Sequence, residues 1–222
     1  MARTLPTPPH PPRLDDLTPV DLLDNGGLDA DPHDLDAARV AASGGEFDVV
    51  EVRSCRLRSG TLAGSSWRRT SWADVELVGV DAANVSAVEG IFHRVAWTQS
   101  RLTGVSMPGA TLQDVRFTGC VLDLASLRFA RLTRVVFDSC RMVGADLAGA
   151  QLIDVRFERC DLGEALFHEA RHTRTLLDSC ELLGLKGVEG LRGATVTTDR
   201  MADLAEQLAS AMGIRLIDQT EA

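Results

Sequence analysis

Apolar residues recur at every fifth position along most of this chain. The register runs without an insertion from Phe47 to Leu182, and most of its members are Leu, Phe, Trp, Met or Ala. An α-helix repeats about every 3.6 residues and a β-strand about every 2, so neither sustains a period of five. The pattern therefore predicts a chain that turns a corner every five residues and points one large side chain inward on each side.

A second column of small residues lies two positions before the first. From Val115 onward the order Val, Cys, Ala, Ala returns every twenty residues, and the local sequences DVRFTGC, RVVFDSC, DVRFERC and RTLLDSC return with it. Twenty residues are four blocks of five, so one coil has four sides. A repeat of this length predicts a solenoid in which each coil packs on its neighbours.

The repeated residues resemble the pentapeptide-repeat family, whose pattern is A(N/D)LXX. The pattern stands at Ala145–Asp146–Leu147 and, more loosely, at Cys160–Asp161–Leu162. The resemblance covers about residues 47–186 and implies an all-β solenoid, a right-handed quadrilateral parallel β-helix. With strands about 4.8 Å apart, we expect about seven coils followed by a C-terminal α-helical cap.

The repeat divides the chain into three parts. Residues 1–46 are expected to form a Pro-rich, acidic N-terminal tail and cap, residues 47–186 the β-helix, and residues 187–222 a C-terminal cap. A helix is predicted near residues 199–212, with Gly213 able to end it. Its apolar face either covers the last coil or pairs with a second copy, and the candidate dimerisation residues are Met201, Leu204, Leu208 and Met212.

The narrow interior explains the composition, in which aromatic residues are scarce and Tyr is absent. All five cysteines lie in the small column, where reduced thiols are expected to fill space. The Cα spacing of one coil does not by itself exclude disulfides, but the parallel side-chain vectors oppose them. Trp67, Trp72 and Trp97 lie in the large column and are expected in the core. The predicted core ladder is Phe117, Phe137, Phe157, Leu177, Cys120, Cys140, Cys160 and Cys180.

The net charge of −9 lies mainly outside the repeat. Residues 1–46 hold 3 basic and 9 acidic residues, whereas residues 47–181 hold 16 basic and 17 acidic, a net of only −1. Some pentapeptide-repeat proteins that confer quinolone resistance mimic duplex DNA and bind DNA gyrase, which requires a dense negative field along the rod. This rod is nearly neutral on average.

Charged residues of alternating sign occupy one corner of successive coils. They are Asp74, Arg94, Asp114, Arg134, Asp154 and Arg174. Opposite charges one coil apart stabilise a sheet, so this column is interpreted as a structural ladder. A recognition stripe is the alternative.

Another side of the coil is the remaining candidate for an acidic interaction face. It carries Asp81, Asp123, Asp161, Glu164 and Glu181, with only Arg101 and Arg141 opposed.

His168 to His172 match the zinc-protease motif H-E-x-x-H. That chemistry needs both histidines on one helical face, whereas the five-residue phase directs His172 inward and His168 outward. We therefore expect no metal, no cofactor and no catalytic residue. His172 is interpreted as a core histidine whose ring can hydrogen-bond to the backbone.

The leading functional hypothesis is a non-catalytic protein-interaction or scaffold protein whose partner is another, unidentified protein. The alternative is a DNA-mimicking modulator of DNA gyrase or topoisomerase of the quinolone-resistance type. Direct contact with nucleic acid or membrane is not expected, and a homodimer through the C-terminal region is possible. The first residues contain five prolines and no apolar signal region, so we expect a cytoplasmic protein.

Overall fold

The chain forms a parallel β-solenoid of about nine turns that ends in a small helix. The computed structural model describes residues 5–198 and 201–214. In that part of the chain, no helix is long and apolar enough to cross a membrane. The strands are β1 (Thr18–Asp24), β2 (His33–Ala41), β3 (Glu46–Asp48), β4 (Glu51–Arg58), β5 (Gly60–Thr61), β6 (Ser66–Arg68), β7 (Ser71–Val78), β8 (Ile91–Thr98), β9 (Thr111–Thr118), β10 (Arg131–Asp138), β11 (Gln151–Glu158), β12 (Arg171–Thr173), β13 (Leu176–Asp178) and β14 (Thr195–Val196). The helices are α1 (Asn25–Asp29), the 3₁₀ turn η1 (Val188–Leu191) and α2 (Met201–Ala211).

The strands pair in parallel with a register of one coil. The main sheet runs β1-β2-β4-β7-β8-β9-β10-β11-β13-β14. Phe137 on β10 pairs with Phe117 on β9 and with Phe157 on β11. From β2 to β11, paired residues are twenty apart, so each inward residue there lies on the equivalent residue of the next coil.

Each corner of the coil is made by a residue with left-handed backbone. In the coil after β9, the corner residues are Gly119, Leu124, Phe129 and Arg134, with φ of 60°, 56°, 57° and 53°. Each follows an inward large residue by two positions. Because the left-handed region costs non-glycine residues about 1–2 kcal/mol, the stacking of the coils must stabilise this conformation.

The interior is filled by the two inward columns. Phe117, Phe137 and Phe157 are at most 1% exposed, and their rings stack with centroids 4.9 and 5.0 Å apart. Leu177, Cys120, Cys140, Cys160 and Cys180 are buried with them. The Cys160 thiol donates to the carbonyl of Phe137 at 3.3 Å, and burial raises the pKa of the Cys55 thiol to about 11. The cysteines are free thiols that fill the core.

Tryptophans compensate for two small residues in the large column. Ala82 and Ala87 stand where other coils carry Leu or Phe. Trp67, Trp72 and Trp97 are 1%, 3% and 7% exposed and pack around these positions. The tryptophans therefore belong to the core.

The solenoid begins earlier than the sequence analysis places it. β2 pairs with β4 in the standard register, Leu35 beside Cys55, and β1 pairs with β2. Part of the segment assigned to a tail and cap is therefore coil, which raises the count from about seven to about nine. The phase is hard to see here because two of the inward residues are only alanines, Ala37 and Ala42.

The C-terminal end is closed by η1, β14 and α2. Gly187 interrupts the register and starts η1 with a φ of 71°. Helix α2 packs on η1, and Leu204 is 3% exposed. Gly213 has a φ of 74°, and the amide of Ile214 donates to the carbonyl of Ala209 at 2.8 Å. This left-handed cap ends the helix as predicted.

Truncation of a stacked phenylalanine tests the core directly. Phe137→Ala should lower the free energy of unfolding by about 3–5 kcal/mol because it leaves a cavity between two rings. Phe129→Ala removes the same atoms from a side chain that is 61% exposed and should change stability little. Urea unfolding of both variants checks this, and equal costs would contradict the inward assignment of Phe137.

Candidate interaction surfaces

The charged column forms three separate ion pairs, not a continuous ladder. Each arginine reaches back to the aspartate of the preceding coil. Arg134 donates through Nε and Nη2 to the two carboxylate oxygens of Asp114, both at 2.7 Å. Arg94 binds Asp74 and Arg174 binds Asp154 in the same two-pronged way, at 2.5 to 2.6 Å.

The aspartates of these pairs are covered, although they lie at a corner. Asp114 and Asp154 are only 3% and 5% exposed. Burial alone would raise the pKa of Asp114, but hydrogen bonds from Arg134 and His10 outweigh it and hold that pKa well below its ordinary value. The hydrogen bond from Arg174 likewise lowers the pKa of Asp154. All three carboxylates are thus ionised acceptors held by arginine.

The predicted acidic residues all lie on one side of the solenoid, but arginines accompany two of them. Asp81 pairs with Arg101 at 3.3 Å, and Asp123 pairs with Arg141 at 2.5 Å. Asp161, Glu164 and Glu181 lie nearer the C-terminal end of the same side. Arginines therefore interrupt this side, so it is not an acidic face along its whole length.

Two exposed apolar side chains stand at adjacent corners of one coil. Leu124 and Phe129 are 68% and 61% exposed, and both have left-handed backbone. They lean over the next coil at Gly144 and Gly149, where an added Cβ would collide with them. This pair was not predicted from the sequence, although the five-residue register does show that bulky apolar residues occupy these two corner positions.

An arginine, Arg128, lies beside this apolar pair. The guanidinium of Arg128 lies 5.3 Å from the centre of the Phe129 ring and also binds Asp146 at 2.9 Å. We call Leu124, Arg128 and Phe129, with the glycines beneath them, the Leu124–Phe129 patch. Aromatic and arginine side chains of this kind are enriched at the energetic centres of protein interfaces.

The H-E-x-x-H residues do not form a metal site. His168 is half-exposed and its Nδ1 lies 3.0 Å from Glu189, whereas His172 stacks on the ring of Phe167. The two histidines therefore lie on different sides of the coil. Within residues 5–198 and 201–214, no three metal-ligating side chains come together.

His172 points inward, as expected, into the column of large residues. Both ring nitrogens are buried. Burial lowers the pKa of His172 from 6.5 to about 4. A backbone hydrogen bond with Gly190 partly offsets that shift. The ring continues a column of leucines, and Leu152 is its register partner.

The candidate dimerisation residues of α2 do not share one surface. Leu204 is buried against the chain's own cap, while Leu208 and Met212 are 37% and 75% exposed. The side chain of Met201 lies outside the described residues. Among the candidate side chains that the structure describes, Leu208 and Met212 are therefore open to a second copy, and dimerisation stays a prediction.

Reversal of one charge tests the ion pairs. Arg134→Glu places three acids at one corner and leaves the buried carboxylate of Asp114 without its arginine. We expect the free energy of unfolding to fall by about 2 kcal/mol or more in denaturant titrations. Arg131→Glu is the control, since Arg131 is exposed on the same coil and its register partners are the uncharged Thr111 and Gln151. Equal effects of the two substitutions would show that the pairs contribute nothing specific.

Replacement of the buried histidine tests its environment by pH. A lowered pKa in the folded state makes the stabilising effect of the neutral ring fully present above pH 6.5 and lost as the pH falls toward 4. The unchanged protein should therefore lose up to about 3 kcal/mol from this group on acidification. His172→Leu should remove that loss and be more stable at pH 7.5. Unfolding curves at pH 7.5 and 5 check both points, and parallel pH profiles would contradict the assignment.

Comparisons with known proteins agree with this geometry. Residues 90–167 and 110–186 match the family model for the pentapeptide repeat region, and no curated protein matches the sequence. A pentapeptide repeat protein from the Arabidopsis thaliana thylakoid lumen aligns at 22% identity and a TM-score of 0.40, over 42% of this chain and 65% of that chain, just under two thirds of its length.

Two further solved structures align with this chain. A trypsin-treated variant of QnrB1, a plasmid-mediated fluoroquinolone resistance protein, aligns at 16% identity and a TM-score of 0.45, over 90% of this chain and 99% of that chain. The second is HetL, a pentapeptide repeat protein involved in heterocyst differentiation regulation, from the cyanobacterium Nostoc sp. strain PCC 7120. It aligns at 16% identity and a TM-score of 0.32, over 81% of this chain and 89% of that chain.

Members of the matched family are generally non-catalytic structural or interaction proteins. The family match lies within the stretch whose five-residue phase is unbroken, and each coil there has four left-handed corners. On these grounds, residues 90–186 of this chain are a pentapeptide repeat region.

Proposed function

We propose that this protein is a non-catalytic interaction module that binds another protein through the Leu124–Phe129 patch. The observation that carries the proposal is the pair of large apolar side chains held out to solvent in left-handed backbone. Every corner of this fold needs that backbone, and glycine adopts it without strain. Glycine stands at the corners one coil before and one coil after both residues: Gly104 and Gly144 in the column of Leu124, and Gly109 and Gly149 in the column of Phe129.

The free energy of these two corners is unfavourable within the isolated chain. A left-handed leucine or phenylalanine costs about 1–2 kcal/mol, and exposure forgoes the stabilisation that burial would supply. Residues that lower stability without a local gain often belong to functional sites. Burial against a partner would supply the missing contacts, with Phe129 and Arg128 as its centre.

The arrangement of apolar and charged side chains in the patch indicates what kind of surface would bind it. The apolar centre is bordered by the ion pairs Arg128–Asp146 and Arg141–Asp123. A matching surface would offer a shallow apolar depression with a polar rim, as protein surfaces do.

The charge distribution supports a protein partner over mimicry of DNA as well. Paired arginines offset many of the acids on the coils, so the rod lacks the continuous negative field of a duplex. The gyrase-modulating role remains the alternative, and it predicts a different dependence on the patch.

The test is affinity capture from a native lysate with three immobilised proteins: the unchanged chain, L124N/F129G, and I91N as a control. Ile91 is also an exposed apolar residue, at 53%, but lies on strand β8. We expect a protein retained by the unchanged chain and by I91N and reduced at least about tenfold by L124N/F129G, since loss of two central contacts exceeds the roughly 1.4 kcal/mol of one decade.

Stability is the internal control of this experiment. L124N/F129G should melt at or above the temperature of the unchanged chain because it relieves two strained corners. Identical capture by all three proteins would contradict the proposal. Inhibition of gyrase supercoiling by the unchanged chain and by L124N/F129G alike would favour the alternative instead.

A further inference from the structure

The Pro-rich N-terminal segment lies along the charged corner and binds its aspartates. The backbone amide of Arg13 donates to Asp74 Oδ1 at 2.9 Å, and that of His10 donates to Asp114 Oδ1 at 3.1 Å. The amide of Thr7 donates to Asp154 Oδ1 at 3.2 Å. We call residues 5–13 the N-terminal strap, and Asp74, Asp114 and Asp154 the aspartate row.

The sequence of the strap fixes its conformation. In LPTPPHPPR, every residue from 5 to 12 is a proline or precedes one. Proline holds φ near −65°, and a residue before proline is pushed to extended backbone, so the sequence predicts a polyproline II helix here. All peptide bonds of the described residues are trans, as that helix requires.

The dimensions of the two structures match. A polyproline II helix has three residues per turn and rises about 3.1 Å per residue, or about 9.3 Å per turn. Consecutive aspartates of the row are two coils apart, which at about 4.8 Å per coil is about 9.6 Å. One turn of the strap therefore spans two coils, so Thr7, His10 and Arg13 each meet an aspartate.

Proline places the donors where the aspartates can use them. Proline has no backbone N–H, so Thr7, His10 and Arg13 are the residues of 7–13 that can donate through the backbone, and all three do. Pro6 is buried while Pro9 and Pro12 are half-buried, and Pro8 and Pro11 are exposed. Every third proline thus packs on the rod, next to the donor that follows it.

The arginines hold each carboxylate ready for the strap. Arg134 engages both oxygens of Asp114, and the strap amide of His10 adds to Oδ1. The His10 ring reaches the same oxygen at 2.8 Å. At the far end, Arg156 donates to the carbonyl of Pro6. Aspartate and arginine alternate along this corner, so an arginine orients each carboxylate. Consecutive carboxylates therefore lie two coils apart.

We propose that the aspartate row is a recognition site for polyproline II segments with the repeat X-Pro-Pro, and that the N-terminal strap occupies it in cis. Each aspartate of the row accepts a hydrogen bond from the backbone N–H of one X residue. The prolines between the X residues favour the polyproline II conformation and pack on the solenoid. The site lies on a different corner from Leu124 and Phe129, so it stands or falls independently of the proposed function.

Hydrogen exchange on the full, unmodified chain gives the first test. The amides of Thr7, His10 and Arg13 should exchange at least about tenfold more slowly than in the free peptide LPTPPHPPR, because each is bonded in the folded protein. Exchange at the free-peptide rate would overturn the proposal without recourse to any variant.

Peptide binding in trans tests the recognition rule. The full-length variant T7P/H10P/R13P lacks all three donors and should leave the row open, whereas T7A/H10A/R13A keeps the donors and should leave it occupied. By fluorescence anisotropy, labelled LPTPPHPPR should bind the first variant at least about tenfold more tightly than the second. A peptide with proline at the Thr, His and Arg positions should bind neither.

The outcomes separate cleanly. Cooperative melting with the β-rich circular dichroism of the parent establishes that both variants are folded. No binding of LPTPPHPPR to T7P/H10P/R13P, or equal binding of the two peptides, would overturn the recognition rule.

Discussion

The whole molecule depends on one constraint of the backbone, a left-handed corner after every fifth residue. The corner directs one large and one small side chain into the interior on each side. Four corners complete one coil of twenty residues, which is also the register of the parallel hydrogen-bonded strands. The corners are not stable by themselves because their backbone is strained, and a single coil is not stable because it cannot bury its own core. Stacked rings such as Phe117, Phe137 and Phe157 supply the burial that offsets the strain.

The same constraint organises the surface. Residues one coil apart point in the same direction at a fixed spacing, so any pattern with a period of twenty or forty residues becomes a row along the rod. The aspartate row is such a pattern, and its spacing fits a polyproline helix. The Leu124–Phe129 patch is the opposite case, a local departure from the residues that corners favour. The outward-facing residues of each coil can vary while the packed core holds them in fixed positions, so the fold is well suited to presenting binding features.

Much of the fold could be predicted from the sequence, because periodicity reports inward direction directly. The burial of Trp67 and the inward position of His172 follow from phase alone. The first coils were missed because their slots hold small residues such as Ala37 and because α1 replaces part of a coil. Phase gives the direction of the His172 side chain but not the partners of its ring.

The sites were harder to predict than the fold for the same reason. The N-terminal strap meets aspartates that lie 61 to 147 residues away in sequence, and no local pattern reveals that contact. Its X-Pro-Pro spacing did carry a signal, since it matches two coils, but only the structure shows the two periods in register. Likewise, the acidic side loses much of its charge to Arg101 and Arg141, whose reach depends on side-chain geometry.

Removal of one whole coil tests the central constraint most directly. Deletion of residues 135–154 joins Arg134 to Val155 and keeps every remaining inward residue in phase, whereas deletion of residues 135–153 shifts the phase by one residue. The account predicts that the first protein keeps β-rich circular dichroism and unfolds cooperatively, with modestly lower stability, while the second does not fold. Equal behaviour of the two deletions would contradict it.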